Sequence, residues 1–302
     1  MSLSDDLRNE LAQIAPESDC DRLAELSGLF HAAGSVHLRG RGEVALHLDL
    51  VSSAVARRAF ALLRTFGVDS EIRTYQQHAF RRATRYQLHV EGSALAYGTL
   101  HRAGVLDASH RPVERPPRRV VARRCCRRAY LRGALLAAGS LSGPRDPHLE
   151  IRTSELEGAR FLADLAAREG AGLHVAERSR HAVAYAKGVE SIADALVAAG
   201  ATDTVLVLEE SSVLAAIRAD ANRLANADHA NLVRTSRAAH AQLEAVRSLD
   251  LESLPDELRE VATLRLRHPT ASTAELARRC QPPTSKASAY RRLRKLQQLA
   301  AT

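Results

Sequence analysis

The residues best suited to chemistry are basic and lie towards the C-terminal end of the chain. Residues 255–302 hold ten lysines and arginines against four acids. Both side chains neutralise phosphate, and arginine also makes bidentate contacts to guanine. The segment therefore predicts binding to a polyanion, most often nucleic acid. The candidate DNA-binding residues are Ser285, Lys286, Ser288, Tyr290, Arg291, Arg292, Arg294 and Lys295.

A second basic segment lies near the middle of the chain. Residues 111–132 contain nine arginines and one glutamate. The two segments together carry +14 against +8 for the whole chain, so the remaining residues are net negative. Solvated surface charge would explain either segment alone, whereas the uneven distribution favours a polyanion. The candidates for an additional contact to DNA or a partner are Arg118, Arg119, Arg123, Arg124, Arg127 and Arg128.

The cysteines lack the spacing of a metal site. Cys20, Cys125, Cys126 and Cys280 include no C-x-x-C pair, and adjacent cysteines rarely provide two ligands of one tetrahedral zinc. We expect buried thiols, no metal and no cofactor. The polar, acidic residues 1–16 do not resemble a secretory leader, and no apolar run approaches the roughly 20 residues of a membrane span. We expect a cytoplasmic, nucleoid-associated protein with no membrane contact.

The pattern of helix starts and stops around the C-terminal basic residues predicts a helix-turn-helix. Pro255 begins a predicted helix that ends at Arg267, and a second helix follows from Ser272, with Glu275 placed for a capping box. Two prolines at 282–283 impose a turn. A basic helix then covers 286–296, with Leu293, Leu296 and Leu299 on its buried side. This arrangement places the last helix in the major groove of DNA.

An internal repeat organises the first two thirds of the chain. Residues 26–35 and 131–140 share the pattern Leu-x-Gly-x-x-x-Ala-Ala-Gly-Ser at an offset of 105. The strand and helix periodicities around each copy predict an αββαββα unit, so the fold class is α+β. Glycine inside a helix costs about 1 kcal/mol relative to alanine, which a close helix–helix contact could offset. The predicted interface residues of a pseudo-twofold pair are Gly28, Gly34, Gly133 and Gly139.

The segment between the repeats and the C-terminal helices is helical in composition. Residues 209–248 contain no proline or glycine, which predicts one long helix or a pair broken near Asn226. Asparagine is a poor interior helix former. Asn222, Arg223, Asn226 and Asn231 therefore indicate either capping at a break or a polar contact face. The predicted domains are 1–110 and 111–208 for the two repeats, 209–248 for the bridge and 249–302 for the helix-turn-helix.

The two repeated motifs resemble those of LAGLIDADG homing endonucleases in their single-chain form. That resemblance implies two closely packed helices, each ending in an acidic residue that binds a metal ion at the DNA backbone. It also implies that the two sheets form a saddle over the duplex. The corresponding positions here are Ala33 and Ala138, while the motif's earlier Asp corresponds to His31 and Leu136. No acid lies within five residues of either alanine. Cleavage of the DNA backbone needs carboxylate oxygens around the metal. We therefore expect the chain to keep the LAGLIDADG fold and to have lost the nuclease activity.

A further resemblance is carried by residues 126–133, 139–140, 222–226, 230–231, 282–286 and 292–296. With these motifs, nearly the whole chain resembles the WhiA regulators of sporulation and cell division. The resemblance implies a non-enzymatic, DNA-binding transcriptional regulator whose C-terminal domain is similar to a promoter-reading domain of sigma factors. It also implies a WhiB-type iron–sulfur regulator or an RNA polymerase sigma factor as a partner. Residues 287–291, Ala-Ser-Ala-Tyr-Arg, depart from the family's usual Ser-Gly-Val-Asn-His, so the preferred operator is expected to differ.

Two other functions remain open from the sequence. The first is an active or nicking LAGLIDADG endonuclease, which would need a carboxylate brought in from elsewhere in the chain. The second is a maturase-like RNA-binding protein, because degenerate LAGLIDADG scaffolds also bind structured RNA. The helix-turn-helix pattern favours double-stranded DNA, in promoter regions, over both.

Overall fold

The chain divides into a larger mixed unit and a smaller helical one. The computed structural model describes residues 2–38, 44–77 and 83–301. The first compact unit covers residues 1–216 and the second covers 217–302. In the described residues, no helix is both long and apolar enough to cross a bilayer.

The first unit contains the predicted αββαββα element order twice, which confirms the α+β assignment. A preceding helix, α1 (Leu3–Gln13), packs on the edge of the second repeat, where the Ser4 hydroxyl donates to the Leu141 carbonyl at 2.9 Å. The first repeat comprises α2 (Asp19–Ala33), β1 (Gly34–Leu38), β2 (Val44–Leu50), α3 (Ser53–Thr65), β3 (Glu71–Gln77), β4 (Ala83–Glu91) and α4 (Ala94–Arg102). The second comprises α5 (Arg124–Ala138), β5 (Gly139–Ser142), β6 (His148–Thr153), α6 (Leu156–Ala167), β7 (His174–Arg178), β8 (His181–Lys187) and α7 (Val189–Ala199), after a short 3-10 helix (Arg118–Val121).

Each repeat forms a four-stranded antiparallel sheet with one buried face. The strand orders are β1-β2-β4-β3 and β5-β6-β8-β7, so the two sheets have equivalent topology. Leu46, Leu48 and Leu50 alternate along β2 and are fully buried, whereas the residues between them face outward. This period of two places a leucine-rich face against the helices and leaves a polar face on the other side.

The two repeats meet where α2 and α5 cross. A Cβ atom added to Gly28 would lie 2.2 Å from the Tyr130 carbonyl oxygen, and one added to Gly133 would lie 2.2 Å from that of Glu25. Each glycine therefore lets the backbone of the opposite helix approach. Gly34 and Gly139 instead follow the last residues of α2 and α5, where an added Cβ would collide with the carbonyl oxygen four residues earlier in the same helix.

The bridge predicted at 209–248 belongs to one uninterrupted helix, α8 (Thr202–Arg247). The predicted alternative, a pair of helices broken near Asn226, is not formed. Glu10 stabilises the start of α8, because its carboxylate accepts the backbone N–H groups of Asp203 and Thr204 at 2.8 Å each. A carboxylate at a helix N-terminus satisfies donors that have no partner within the helix.

The second unit is a small helical domain. After the C-terminal part of α8 it contains a 3-10 turn (Leu251–Ser253), α9 (Asp256–Arg267), α10 (Thr273–Arg279) and α11 (Lys286–Leu299), close to the predicted bounds. Its core includes Val261, Leu276, Leu293 and Leu296. The prediction that Leu299 is buried was wrong, since this last residue of α11 is 37% exposed.

Candidate nucleic-acid interface

Hydrogen bonds at both helix starts fix the turn between α10 and α11. Ser272 and Glu275 form the predicted capping box, with the Ser272 N–H donating to the glutamate at 2.7 Å. The Ser285 hydroxyl caps α11 by accepting the Ser288 N–H at 3.1 Å. The Thr284 N–H also donates to the Ala277 carbonyl at 2.9 Å. The start of α11 is thus held in a defined position relative to α10.

One side of α11 is exposed and basic. Tyr290 is 54% exposed, and the neighbouring Arg291 is also exposed. Arg294 follows at a spacing of three to four residues, which places it on the same face. Lys286 and Lys295 are exposed at the two ends of this surface, and Ser288 is half-buried. We call the residues Lys286, Tyr290, Arg291, Arg294 and Lys295 the α11 surface.

Arg292 lies on a different side of α11 and contacts α9. Its guanidinium is 2.9 Å from the Glu257 carboxylate and 3.9 Å from that of Glu260, and only 19% of the side chain is exposed. The Gln281 N–H also donates to Glu260, at 2.5 Å. These contacts join the turn and α11 to α9. Arg292 therefore has a partner within the domain, whereas the α11 surface forms no ion pair with any carboxylate that the structure describes.

Sequence reasoning missed that Arg265 is a core residue. Its side chain is 1% exposed, and its guanidinium donates to the Ala271 carbonyl at 2.7 Å and the Gln242 side chain at 2.8 Å. Burial lowers the pKa of Arg265 from its ordinary value. This arginine closes the α9–α10 turn, so its contribution to the charge of residues 255–302 does not reach the surface.

Most arginines of the 111–132 segment are similarly bound within the first unit. Arg127 lies 2.6 Å from the Glu169 carboxylate, and Arg124 lies 3.2 Å from it. Arg128 donates to the carbonyls of Val197 and Ala198 at the end of α7. Arg119 donates to the His101 carbonyl at 2.9 Å and is exposed, as are Arg118, Arg123 and Arg124. Each guanidinium has five N–H groups, so it can donate to several carbonyl and carboxylate oxygens at the end of a helix.

The strongest ion-pair cluster of the first unit centres on Glu25, which is fully buried. Its carboxylate accepts from Arg58 on α3 at 2.7 Å and from Arg132 on α5 at 2.9 Å. The side chains of both arginines are about nine-tenths buried. The cluster thus connects the two repeats beside the glycine contact. The motif comparison did not reveal it, because Glu25 precedes the shared pattern.

The C-terminal ends of α2 and α5 carry methyl groups where a metal-binding nuclease needs acids. Ala33 and Ala138 are half-buried at these ends. Two residues before Ala33, the His31 ring lies between two backbone carbonyls, with Nδ1 2.7 Å from Ser27 and Nε2 3.0 Å from Val113. Burial lowers the pKa of His31, and the two carbonyls oppose that shift only in part. This site therefore offers one imidazole and two alanines, and the two motif positions supply no carboxylate.

On the polar face of the second sheet, one carboxylate is paired with two arginines. Glu150 accepts from Arg152 at 3.1 Å and from Arg178 at 3.4 Å, and His148 lies 3.5 Å away. Burial alone would raise the pKa of Glu150, but its cationic neighbours outweigh that effect and lower it. A duplex on this face would have to compete with an internal carboxylate for both arginines.

The described part of the first sheet also contains an ion pair, in which Arg73 lies 2.7 Å from Glu71. The imidazoles of His37, His47 and His89 form a row, with ring centroids 4.5 and 4.7 Å apart. Burial and the neighbouring imidazoles lower the pKa of His47. A phosphate on this sheet would compete with Glu71 for Arg73.

Three family profiles match the chain in the order of these elements. They describe the WhiA N-terminal LAGLIDADG-like domain at residues 19–102, the WhiA LAGLIDADG-like domain at 127–218 and the WhiA C-terminal HTH domain at 221–300. The chain belongs to the WhiA family. This assignment agrees with the resemblance found in the sequence.

Curated relatives of this WhiA-family chain align over nearly its full length. The "Probable cell division protein WhiA" of Heliobacterium modesticaldum is 36% identical over 306 residues, covering 99% of this chain and 96% of the relative. The protein of the same name from Symbiobacterium thermophilum is 36% identical over 308 residues, covering 99% and 98%.

Solved WhiA structures share the fold. Full-length DUF199/WhiA from Thermatoga maritima is 23% identical with a TM-score of 0.60, covering 100% of this chain and 98% of that one. The N-terminal LAGLIDADG domain of DUF199/WhiA is 22% identical with a TM-score of 0.52, covering 65% and 89%.

The asparagine cluster of the WhiA-family chain is exposed on α8. Asn222, Asn226 and Asn231 all face solvent, although Asn231 accepts from Arg234 at 2.5 Å. Arg223 pairs with Asp220 one turn earlier on the same helix. The helix is continuous here, so the asparagines do not cap a break. Asn222 and Asn226 share one side of α8, whereas Asn231, nine residues after Asn222, lies on the opposite side.

Three of the four cysteines meet at the N-terminal ends of α2 and α5. Within the described chain, Cys20, Asp21, Cys125 and Cys126 are the group whose possible metal-ligand atoms all lie within 4.8 Å of one another. The expectation of buried thiols was correct for Cys126 and Cys280 but wrong for Cys125, which is exposed, and Cys20 is half-buried. Sequence spacing missed the group because Cys20 and Cys125 are brought together only by the α2–α5 crossing.

Proposed function

We propose that this chain is a non-enzymatic, sequence-specific DNA-binding transcriptional regulator that reads promoters with α11. The observation that carries the proposal is the exposed α11 surface, fixed by the Ser285 cap and the α10 capping box. Four cations and a tyrosine share this surface without the close internal carboxylate that Arg292 has. A rigid, basic second helix after a tight turn suits the major groove.

Within this proposal the residues of α11 have different tasks. Tyr290 and Arg291 would meet base edges, while Lys286, Arg294 and Lys295 would contact phosphates. Ser285 and Ser288 lie at the start of α11. In the proposed complex their hydroxyls would add contacts to the sugar-phosphate backbone of the DNA. Arg292 would position α11 through Glu257 rather than touch DNA.

We propose no phosphodiester cleavage. The support is chemical, since a methyl group at Ala33 and at Ala138 supplies no ligand for a hard cation. Exposed residues of both units would then add contacts to DNA or to a protein partner. The candidates are Arg118 and Arg123 of the first unit and Asn222, Arg223, Asn226 and Asn231 on α8 in the second.

The genes under control are proposed to act in cell division or sporulation. The support is the printed name of the relatives, "Probable cell division protein WhiA". By family resemblance the protein partner would be a WhiB-type iron–sulfur regulator or a sigma factor, and the chain would act at the nucleoid.

Genome-wide crosslinking of the full chain and of a chain lacking residues 255–302 tests the proposal. We expect sharp peaks at promoters that disappear with the deletion. An Arg160→Ala variant, altered at an exposed arginine of α6, provides a matched control and should keep the peaks. Peaks that survive the deletion would refute reading by α11.

Two further assays separate the alternatives. Plasmid incubated with the protein and Mg²⁺ or Mn²⁺ should stay intact, whereas nicking that disappears on chelation would establish a nuclease. In competition, duplex promoter DNA should displace structured RNA. The reverse order of affinity would favour an RNA-binding function.

A further inference from the structure

The internal repeat relates the cysteines at the start of its two motif helices. Cys20 and Cys125 are separated by 105 residues, the offset of the glycine motifs, and the same offset pairs Asp21 with Cys126. These residues occupy the second and third positions of α2 and of α5. The pseudo-twofold arrangement therefore brings two equivalent pairs of side chains together at the helix N-termini.

The distances within this group suit one small metal ion. Adjacent cysteines rarely share one ion, but here the sulfurs of Cys125 and Cys126 are 3.9 Å apart, and the Cys20 sulfur is 3.6 Å from the Asp21 carboxylate. A tetrahedral ion with metal–sulfur bonds of about 2.3 Å holds its sulfurs about 3.8 Å apart. We propose that Cys20, Asp21, Cys125 and Cys126 bind a single thiophilic transition-metal ion, of which Zn²⁺ best matches three thiolates and one carboxylate.

The metal-free site favours the protonated thiols, so a metal ion has to displace their protons. Without metal, burial raises the pKa of Cys126, and a hydrogen bond to Asp21, followed by burial, raises that of Cys125. Metal binding replaces these protons and releases them to solvent. The N-termini of α2 and α5 favour the resulting thiolates, because unpaired N–H groups give each helix start a partial positive charge.

An ion can reach the group from solvent. Cys125 is exposed, and Cys20 borders an open cavity of about 420 Å³ that is also lined by Leu23, His101 and Arg119. The opposite ends of α2 and α5 carry Ala33 and Ala138, so this site is separate from the position of the nuclease metals in the resembling endonucleases. A bound ion would join the two repeats at the N-terminal ends of their central helices.

Cobalt titration of the reduced full-length protein tests the site. We expect one Co²⁺ per chain, a thiolate-to-cobalt charge-transfer band in the near ultraviolet, tetrahedral d–d bands in the visible range and displacement by Zn²⁺. Zn²⁺ should also protect Cys20 and Cys125 from alkylation and raise the melting temperature. None of these readouts depends on DNA binding.

Variants assign the ligands. Cys20→Ser and Cys125→Ser alter side chains outside the tightly packed core and should weaken binding by more than about 100-fold. Asp21→Asn should weaken binding while retaining the charge-transfer band. Cys280→Ala, in the other unit, is the matched control and should bind normally.

Three results would overturn the proposal. The first is binding of much less than one ion per chain to the reduced protein. The second is a charge-transfer band that persists at full strength in both serine variants. The third is a Cys20–Cys125 or Cys20–Cys126 disulfide as the form that accounts for alkylation protection, with no metal uptake after reduction.

Discussion

The Glu25 carboxylate lies 2.9 Å from Arg132 Nε, and this contact joins two helices that the internal repeat relates. Glu25 comes from α2 of the first repeat and is fully buried, while Arg132 comes from α5 of the second. Arg58 neutralises the other carboxylate oxygen at 2.7 Å. The interface between the repeats is therefore specified by charge as well as by the glycine contact.

Removing the charge of Glu25 should destabilise the first unit strongly. Glu25→Gln leaves Arg58 and Arg132 buried without their anion, and we expect a loss of about 3–5 kcal/mol in the free energy of unfolding. Urea denaturation followed by circular dichroism measures the change. Glu157→Gln is the control, because it breaks an exposed pair with Arg160 and should cost less than about 1 kcal/mol. Equal losses in the two variants would contradict the assignment.

Glycine at position 28 should be required by the approach of the opposite backbone. In Gly28→Ala the new methyl would meet the Tyr130 carbonyl oxygen, so we expect a loss of about 3 kcal/mol despite alanine's better helix propensity. Gly98→Ala is the matched control within α4, where an added Cβ has no neighbour within 4 Å. That variant should gain up to about 1 kcal/mol. Thermal unfolding of both proteins distinguishes the cases.

Arg291 and Arg292 should separate DNA binding from domain stability. Arg291→Ala is expected to weaken promoter affinity by about 1–3 kcal/mol if the residue contacts a base. Arg292→Ala removes the pair with Glu257 and should lower the stability of the second unit by about 1 kcal/mol. Binding titrations at several salt concentrations and denaturation curves give both quantities. If Arg292→Ala lost more affinity than Arg291→Ala and kept its stability, then Arg292 would be the residue that contacts DNA, and the assignment would be wrong.

His31 should make the first unit less stable in mild acid. Burial lowers the pKa of His31 in the folded chain, so the unfolded chain binds the proton first as the pH falls below 6.5. Stability conferred by the neutral ring is therefore complete above that pH and declines below it, by at most about 1.4 kcal/mol per pH unit. His31→Gln should flatten this part of the stability–pH profile. An unchanged slope would show that other groups cause it.

The sequence was sufficient for features that depend on local pattern. The Ser272–Glu275 spacing predicted the start of α10, and the periodicities around the repeated glycine motif predicted two equivalent αββαββα units. These features follow from periodicity and capping, which act over a few residues.

Features that depend on distant residues could not be derived in the same way. Arg265 and Arg292 carry the same charge as Arg291, yet the first is in the core and the second contacts α9. Their different surroundings come from helix packing, which a charge count does not contain. Likewise, the contact between Cys20 and Cys125 depends on how α2 crosses α5.

The close contact at Gly28 and Gly133 makes the two repeats depend on each other for folding. If the chain were divided between them, the first fragment would keep the Glu25–Arg58 pair, whereas the second would hold Arg132 without its anion. Both fragments would also open a strip of helix backbone to water. The two sides of this interface are chemically different, with Glu25 on α2 and Arg132 on α5, so one repeat could not replace the other.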